Sequence, residues 1–162
     1  MIVRVEFEER YWYPDDGGQV WLAGFTPVDE GSGRFLARDA PELAARGIAI
    51  AAVAGAGRHH AAALAGDAAE PGRPLALRRD AANEHDPNAV AVDSEAGEQL
   101  GWVPRELAAE LAPRLDTGER WSAVALRESR PSPRDPRSGL TMLLAPAERI
   151  ELEPALGHSR GP

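Results

Sequence analysis

The residues with the greatest capacity for chemistry stand in NEHDPNAVAV, residues 83 to 92, where two amides, two acids, an imidazole and a proline precede an apolar run. A turn alone needs only Asp86, Pro87 and Asn88, because proline fixes φ and Asn or Asp side chains satisfy nearby backbone groups. The block exceeds that need, so it is expected to hold something besides its own backbone. Its chemistry is not obviously catalytic. His59, His60, His85 and His158 are too scattered for a zinc template, and the chain has no cysteine to supply thiolates. No Gly-x-Ser-x-Gly elbow or Gly-Lys-Ser/Thr phosphate loop occurs, and choosing two acids from an acidic surface as general acid and base would be arbitrary.

One enzymatic pattern comes closer. AIAAVAGAGRHHAAALAG reads as a strand, a glycine turn and a helix, with Gly55 and Gly57 spaced as in a dinucleotide-binding loop and Asp80 ending a later strand. The third position, which needs a small residue for helix–strand packing, is His60. Too little alternating strand and helix follows to complete such a fold. A dinucleotide-binding enzyme is therefore the weakest reading. The chain is expected not to be an enzyme and to carry neither cofactor nor metal.

The elements that must position the polar block are short. IAIAAVAGAG, PLALRRD, NAVAVD, QLGWVP, RWSAVALRES and GLTMLLAP read as six strands, with one main helix between the fourth and fifth. Strands this short favour a small barrel or sandwich over a doubly wound sheet. In the helix, Leu107, Leu111 and Leu115 recur on one face with Ala108 and Ala112, while Glu106 and Glu110 lie outside. Pro104 suits its first turn, Pro113 is expected to kink or interrupt it, and Gly118 ends it. Upstream, Val3, Val5 and Phe7 alternate before YPDDGG and QVWLAGF, a hairpin with Tyr11, Trp12, Tyr13 and Trp21 as core and rim. A short helix follows, capped near Asp39 and closed by Gly47. The expected organisation is an N-terminal extension over 1–47, a barrel over 48–146 and a frayed tail over 147–162.

Charge limits the ligands. The net is −8, and all 18 cations are arginine. An acidic chain repels phosphate backbones at long range, which disfavours general nucleic-acid binding. Residues 51–146 are nearer balance, with 11 arginines against 14 acids, and only there does a local basic patch fit. RPSPRDPR, with Arg127, Arg130, Arg134 and Arg137 in reach, reads either as a solvated hairpin connection or as a cationic arm over a phosphate-lined groove. No apolar stretch reaches the roughly 20 residues of a membrane span, and the absence of cysteine suits a reducing compartment. A soluble, cytoplasmic protein with no membrane partner is expected.

The segment LALRRDAANEHDPNAVAVDSEAGEQLGWVPRELAAELAPRLDTG, with VAGAGRHH upstream, resembles the HIRAN family. That family's pattern runs Arg-(Asp/Glu)-Pro-x-Asn-x-(Tyr/His)-Asp-x-Asn-Ala-(Ile/Val)-x-Val, a turn, Gly-(Tyr/His/Trp)-(Ile/Leu/Val)-x-(Lys/Arg), then a helix. The resemblance implies a mainly β (α+β) fold: a small six-stranded OB-like β-barrel with one or two helices, here with an N-terminal β-hairpin extension. It also implies a non-catalytic module that binds single-stranded DNA at a free 3′ end, in DNA repair or replication-fork processing. A motor or repair protein in trans would supply the work. By position, Arg58 would hold a phosphate and His59 would stack or donate to the backbone. Asn83, His85 and Asp86 would frame the terminal nucleotide, with Asp86 accepting a hydrogen bond from the 3′-hydroxyl. Trp102 stands at the aromatic position after Gly101, and Arg105 at a cation that touches phosphate. Asp86 and Asn88 also suit a purely local role in satisfying the loop's backbone, and Trp102 also suits the barrel core. Glu84 and the overall acidity oppose DNA, so a protein-interaction module that keeps the barrel without DNA binding is the alternative.

Overall fold

The computed structural model describes residues 3–15, 18–29, 36, 39–45, 47–132, 134–147 and 150–151, with side chains in the first two strands given only for Phe25 and Pro27. Six strands build the central body: β3 (Ala49–Ala52), β4 (Pro74–Arg79), β5 (Val90–Ser94), β6 (Gln99–Trp102), β7 (Trp121–Arg130) and β8 (Gly139–Pro146). They pair antiparallel in the order β3-β8-β7-β4-β5-β6. Just past β3, Ala54 exchanges both backbone hydrogen bonds with Trp102 at the end of β6, at 2.8 and 2.9 Å. That bridge closes the six strands into a barrel and leaves neither terminal strand as an open edge at this point. The crossing is tight. A Cβ on Gly101 would lie 2.4 Å from the Ala54 carbonyl oxygen and 2.7 Å from Val53 Cγ1, so glycine lets the two backbones meet.

Val53, Val90, Val92, Leu100, Ala123, Ala125, Met142 and Leu144 fill the interior, joined by Leu111 of the main helix, α4 (Arg105–Asp116). Pro104 is the cap that precedes α4 rather than part of its first turn. Pro113 does not break the helix, which continues to Asp116 before Gly118, at φ 92°, turns the chain away. Where the sequence suggested one helix after the glycine turn, three short helical pieces link β3 to β4: α2 (Ala56–His59), α3 (Ala61–Ala65) and a 3₁₀ turn at Asp67–Ala69. Gly55, at φ 73°, starts them. Gly57 packs so closely that a Cβ would meet the Ser138 carbonyl oxygen at 2.7 Å. These glycines therefore serve a turn and a helix–loop contact, and the strand before them pairs antiparallel with β8, which excludes a parallel dinucleotide-binding unit here.

The upstream hairpin is formed by β1 (Val3–Asp15) and β2 (Gly18–Asp29), with Trp12 opposite Trp21; the aromatic side chains of Tyr11, Trp12, Tyr13 and Trp21 lie outside the described residues. So do 152–162 of the tail, including His158. β9 (Ile150–Glu151) pairs parallel with β1. β2 continues the sheet by pairing with the second half of β7, from Trp21 opposite Arg130 to Gly24 opposite Arg127. Phe25, Leu36, Ile48 and Leu43 of α1 (Pro41–Ala45) pack there against Val124, Leu126, Leu143 and Ala145. β7 and β8 are thus buried on both faces, which is why SAVAL and MLLA read as continuous apolar runs rather than alternating ones.

The arginines near the β7–β8 turn are largely committed inward. Glu128 is 2 % exposed and pairs with both Arg130 and Arg137. Arg137, itself buried, also donates to the carbonyls of Leu64 and Gly66 (3.1 Å for the latter), tying the end of α3 to this turn. Arg127 donates to the Phe25 carbonyl. A buried ion pair holds only when further hydrogen bonds satisfy its charges, and these carbonyls supply them. The connection is a packed hairpin turn, not a cationic arm.

Candidate nucleic-acid interface

The loop between β4 and β5 carries the polar block, and its shape comes from its own side chains. Asn83 Oδ1 accepts the backbone N–H groups of His85 (2.9 Å) and Asp86 (3.0 Å), while Asn83 Nδ2 donates to Asp80 Oδ2 (3.2 Å). Asp86 Oδ1 accepts the Asn88 N–H at 2.9 Å, and the Asp86 carbonyl accepts the Ala89 N–H at 3.0 Å. Asn83 is therefore spent on holding the loop, whereas His85 and Glu84 are exposed. Asp86 divides its work. One carboxylate oxygen serves the backbone and the other faces Arg105 Nε at 4.0 Å.

Arg105 is the first residue of α4, and its side chain is 80 % exposed, so this ion pair is loose and leaves the guanidinium free to move. Trp102 lies three residues earlier on the closing seam, half-buried. His59 of α2 approaches it across Gly55: a Cβ built there would lie 3.6 Å from both His59 Cδ2 and Trp102 Cδ1. Arg58, one residue before His59, is exposed and has no ion pair among the described residues. The structure thus sets Asp86 against Arg105, and it places His59 and Trp102 both near Gly55; Trp102 lies on the seam three residues before Arg105.

Arg79, to which sequence reasoning gave no role, reaches the same loop from beneath. It ends β4, donates from Nη1 to the Ala89 carbonyl (2.8 Å) and from Nη2 to the Pro87 carbonyl (3.1 Å), and forms a two-bond fork with Asp116 at 2.9 and 3.2 Å. The fork raises the Arg79 pKa and holds the Asp116 carboxyl below its ordinary value, through the shared hydrogen bond first. The available signal was the alternation that puts Leu75, Leu77 and Arg79 on one side of β4.

Among the described residues no group of three or more His, Cys, Asp or Glu side chains stands together as a metal site, and no helix is long and apolar enough to cross a membrane. A closed antiparallel barrel whose seam carries Trp102, three residues before the Arg105 that faces Asp86, is the framework of a small binding module. The chain belongs to the HIRAN domain family: the family model matches residues 50–138, more than half of its length. The family is known as a DNA-binding module. The chain is similar to the HIRAN domain of human HLTF, with 23 % identity, 62 % of this chain and 78 % of that chain covered, and a TM-score of 0.44. It is also similar to a protein from Lactobacillus plantarum, with 19 % identity, coverage of 59 % and 91 %, and a TM-score of 0.42. No curated protein matches the chain.

Proposed function

We propose that the protein is a non-catalytic module that binds single-stranded DNA and receives a free 3′-hydroxyl end at the loop 83–88, as a recognition part in DNA repair or replication-fork processing. The observation that supports it best is the divided role of Asp86: Oδ1 is held by the Asn88 N–H, while Oδ2 faces the loosely held Arg105. A fixed carboxylate accepts a hydrogen bond from a terminal hydroxyl and repels a terminal phosphate, so it selects one end chemistry by penalising the other. Arg105 would turn from Asp86 to the last internucleotide phosphate at small cost, since exposed pairs are worth about 0–1 kcal/mol. His59 and Trp102 would stack bases, and Arg58 would hold a phosphate further along the strand.

The test is fluorescence anisotropy at low salt with a short 5′-labelled oligonucleotide ending in either 3′-hydroxyl or 3′-phosphate. Hydrogen bonds to charged groups are worth about 1.5–3 kcal/mol, so the hydroxyl end should bind about 10-fold to 100-fold more tightly. Asp86→Asn keeps an acceptor for the Asn88 N–H while removing the charge, and should shrink that preference. Equal affinity of the wild type for both ends would reject end recognition. No binding of either would favour the protein-interaction reading, to which the net charge of −8 and the added hairpin lend support.

A further inference from the structure

The hydrogen bonds made by Asn83 and Asp86 side chains lie within residues 80–88, apart from the loose contact to Arg105, so they set the loop's shape but not its position on the barrel. Arg79 supplies the position. Its planar fork spans three elements at once: it belongs to β4, it bonds the carbonyls of Pro87 and Ala89 in the loop, and it bonds both carboxylate oxygens of Asp116 at the end of α4. Only a guanidinium has enough donors in a fixed planar geometry for these four bonds; an ammonium has three donors on one nitrogen and cannot form the two-nitrogen fork. α4 is a continuous helix whose first residue is Arg105. Fixing its last turn to the loop therefore also restrains the relation between Arg105 and Asp86 at its other end. Arg79 is mostly enclosed, at 18 % exposure, whereas Asp116 is 54 % exposed, so the anchor can be changed without opening the core.

We propose that Arg79 and Asp116 form a latch that positions the end-reading loop against α4, so that selectivity for the strand terminus depends on an ion pair that touches no nucleotide. The inference rests on the end recognition proposed above. Arg79 is a positioning residue, acting through Asp86 and Arg105.

The latch is tested in the whole chain with Arg79→Lys, which keeps the charge and loses the fork, and with Asp116→Asn, which leaves the enclosed residue in place. Two quantities are read: amide hydrogen exchange at His85, Asn88 and Ala89 in the free protein, and the ratio of affinities for 3′-hydroxyl and 3′-phosphate oligonucleotides. Both variants should speed exchange at these amides by about fivefold or more, as expected when a local opening loses hydrogen bonds. Both should also lower the affinity ratio at least about threefold, while cooperative thermal unfolding persists. Should Arg79→Lys fail to fold, Asp116→Asn carries the test alone. Unchanged exchange overturns the latch, as does faster exchange with an unchanged ratio. A wild type with no preference between ends defeats the proposed function, and the selectivity claim of the latch with it, whereas loop anchoring is still decided by exchange in the free protein.

Discussion

Replacing Gly101 by alanine tests the closure that brings the site together. The added Cβ would meet the Ala54 carbonyl oxygen at 2.4 Å and Val53 Cγ1 at 2.7 Å, and the first of these is backbone that cannot rotate away. Relief requires the two strands to part, which gives up the paired Ala54 and Trp102 hydrogen bonds of 2.8 and 2.9 Å. Net hydrogen bonds of about 1 kcal/mol each, together with about 1–3 kcal/mol for overpacking, set a loss of about 3–5 kcal/mol. For a chain of this size that is a fall in melting temperature of about 6–20 °C, read by differential scanning calorimetry. Gly97→Ala is the control. Gly97 has φ 84° but nothing within 4 Å of a built Cβ, so its substitution carries backbone strain without collision. That strain is worth only about 1–2 kcal/mol. A Gly101→Ala protein that melts within 2–3 °C of the Gly97→Ala protein, to give an approximate margin, would refute the view that close passage at the seam holds the barrel shut.

Trp102→Ala should weaken binding of single-stranded DNA by about tenfold or more if the ring is a platform, since stacking is worth about 1–3 kcal/mol per base; unchanged affinity in a folded variant would assign the ring to the barrel alone. Salt dependence should be shallow: if Arg58 and Arg105 are the phosphate contacts, the slope of log affinity against log salt should be about −1.4, from about −0.7 per phosphate on a single strand. A slope several times steeper would mean that a cationic surface other than the seam binds the backbone.

The six strands and α4 were legible because each is a short apolar run bounded by turn residues, and because Leu107, Leu111 and Leu115 repeat with helical spacing. The links between β3 and β4 were legible only in part. AGRHHAAALAG reads as one helix after a glycine turn, and an alanine-rich stretch shows little periodicity, so the break at His60 between α2 and α3 left no signal. Arg137 was equally opaque. In a Pro-rich segment it looks like a surface cation, yet it is 5 % exposed because Glu128 and two backbone carbonyls surround it. Family resemblance nominated Asp86 and Arg105, but their approach across 19 positions of chain required the β5–β6 pairing and the start of α4. For Asn83 the nomination and the geometry differ in emphasis: its side chain is occupied by the loop's own N–H groups.

A net charge of −8 argues against DNA only if the charges act at long range. At physiological salt the Debye length is about 8 Å, so distant acids are largely screened while groups in direct contact are not. Many arginines are already paired locally: Arg73 with Glu95, Arg78 with Asp93, Arg79 with Asp116, Arg114 with Glu119, and Arg130 and Arg137 sharing Glu128. Arg58, without an ion pair among the described residues, and Arg105, loosely paired and exposed, differ from these in remaining available. If these two are the phosphate contacts, a long phosphate backbone adds little, because affinity for it grows with the number of phosphates that cations neutralise. On the reading proposed above they would serve best where one phosphate, one or two bases and one hydroxyl are met together, which is the chemistry of a strand end.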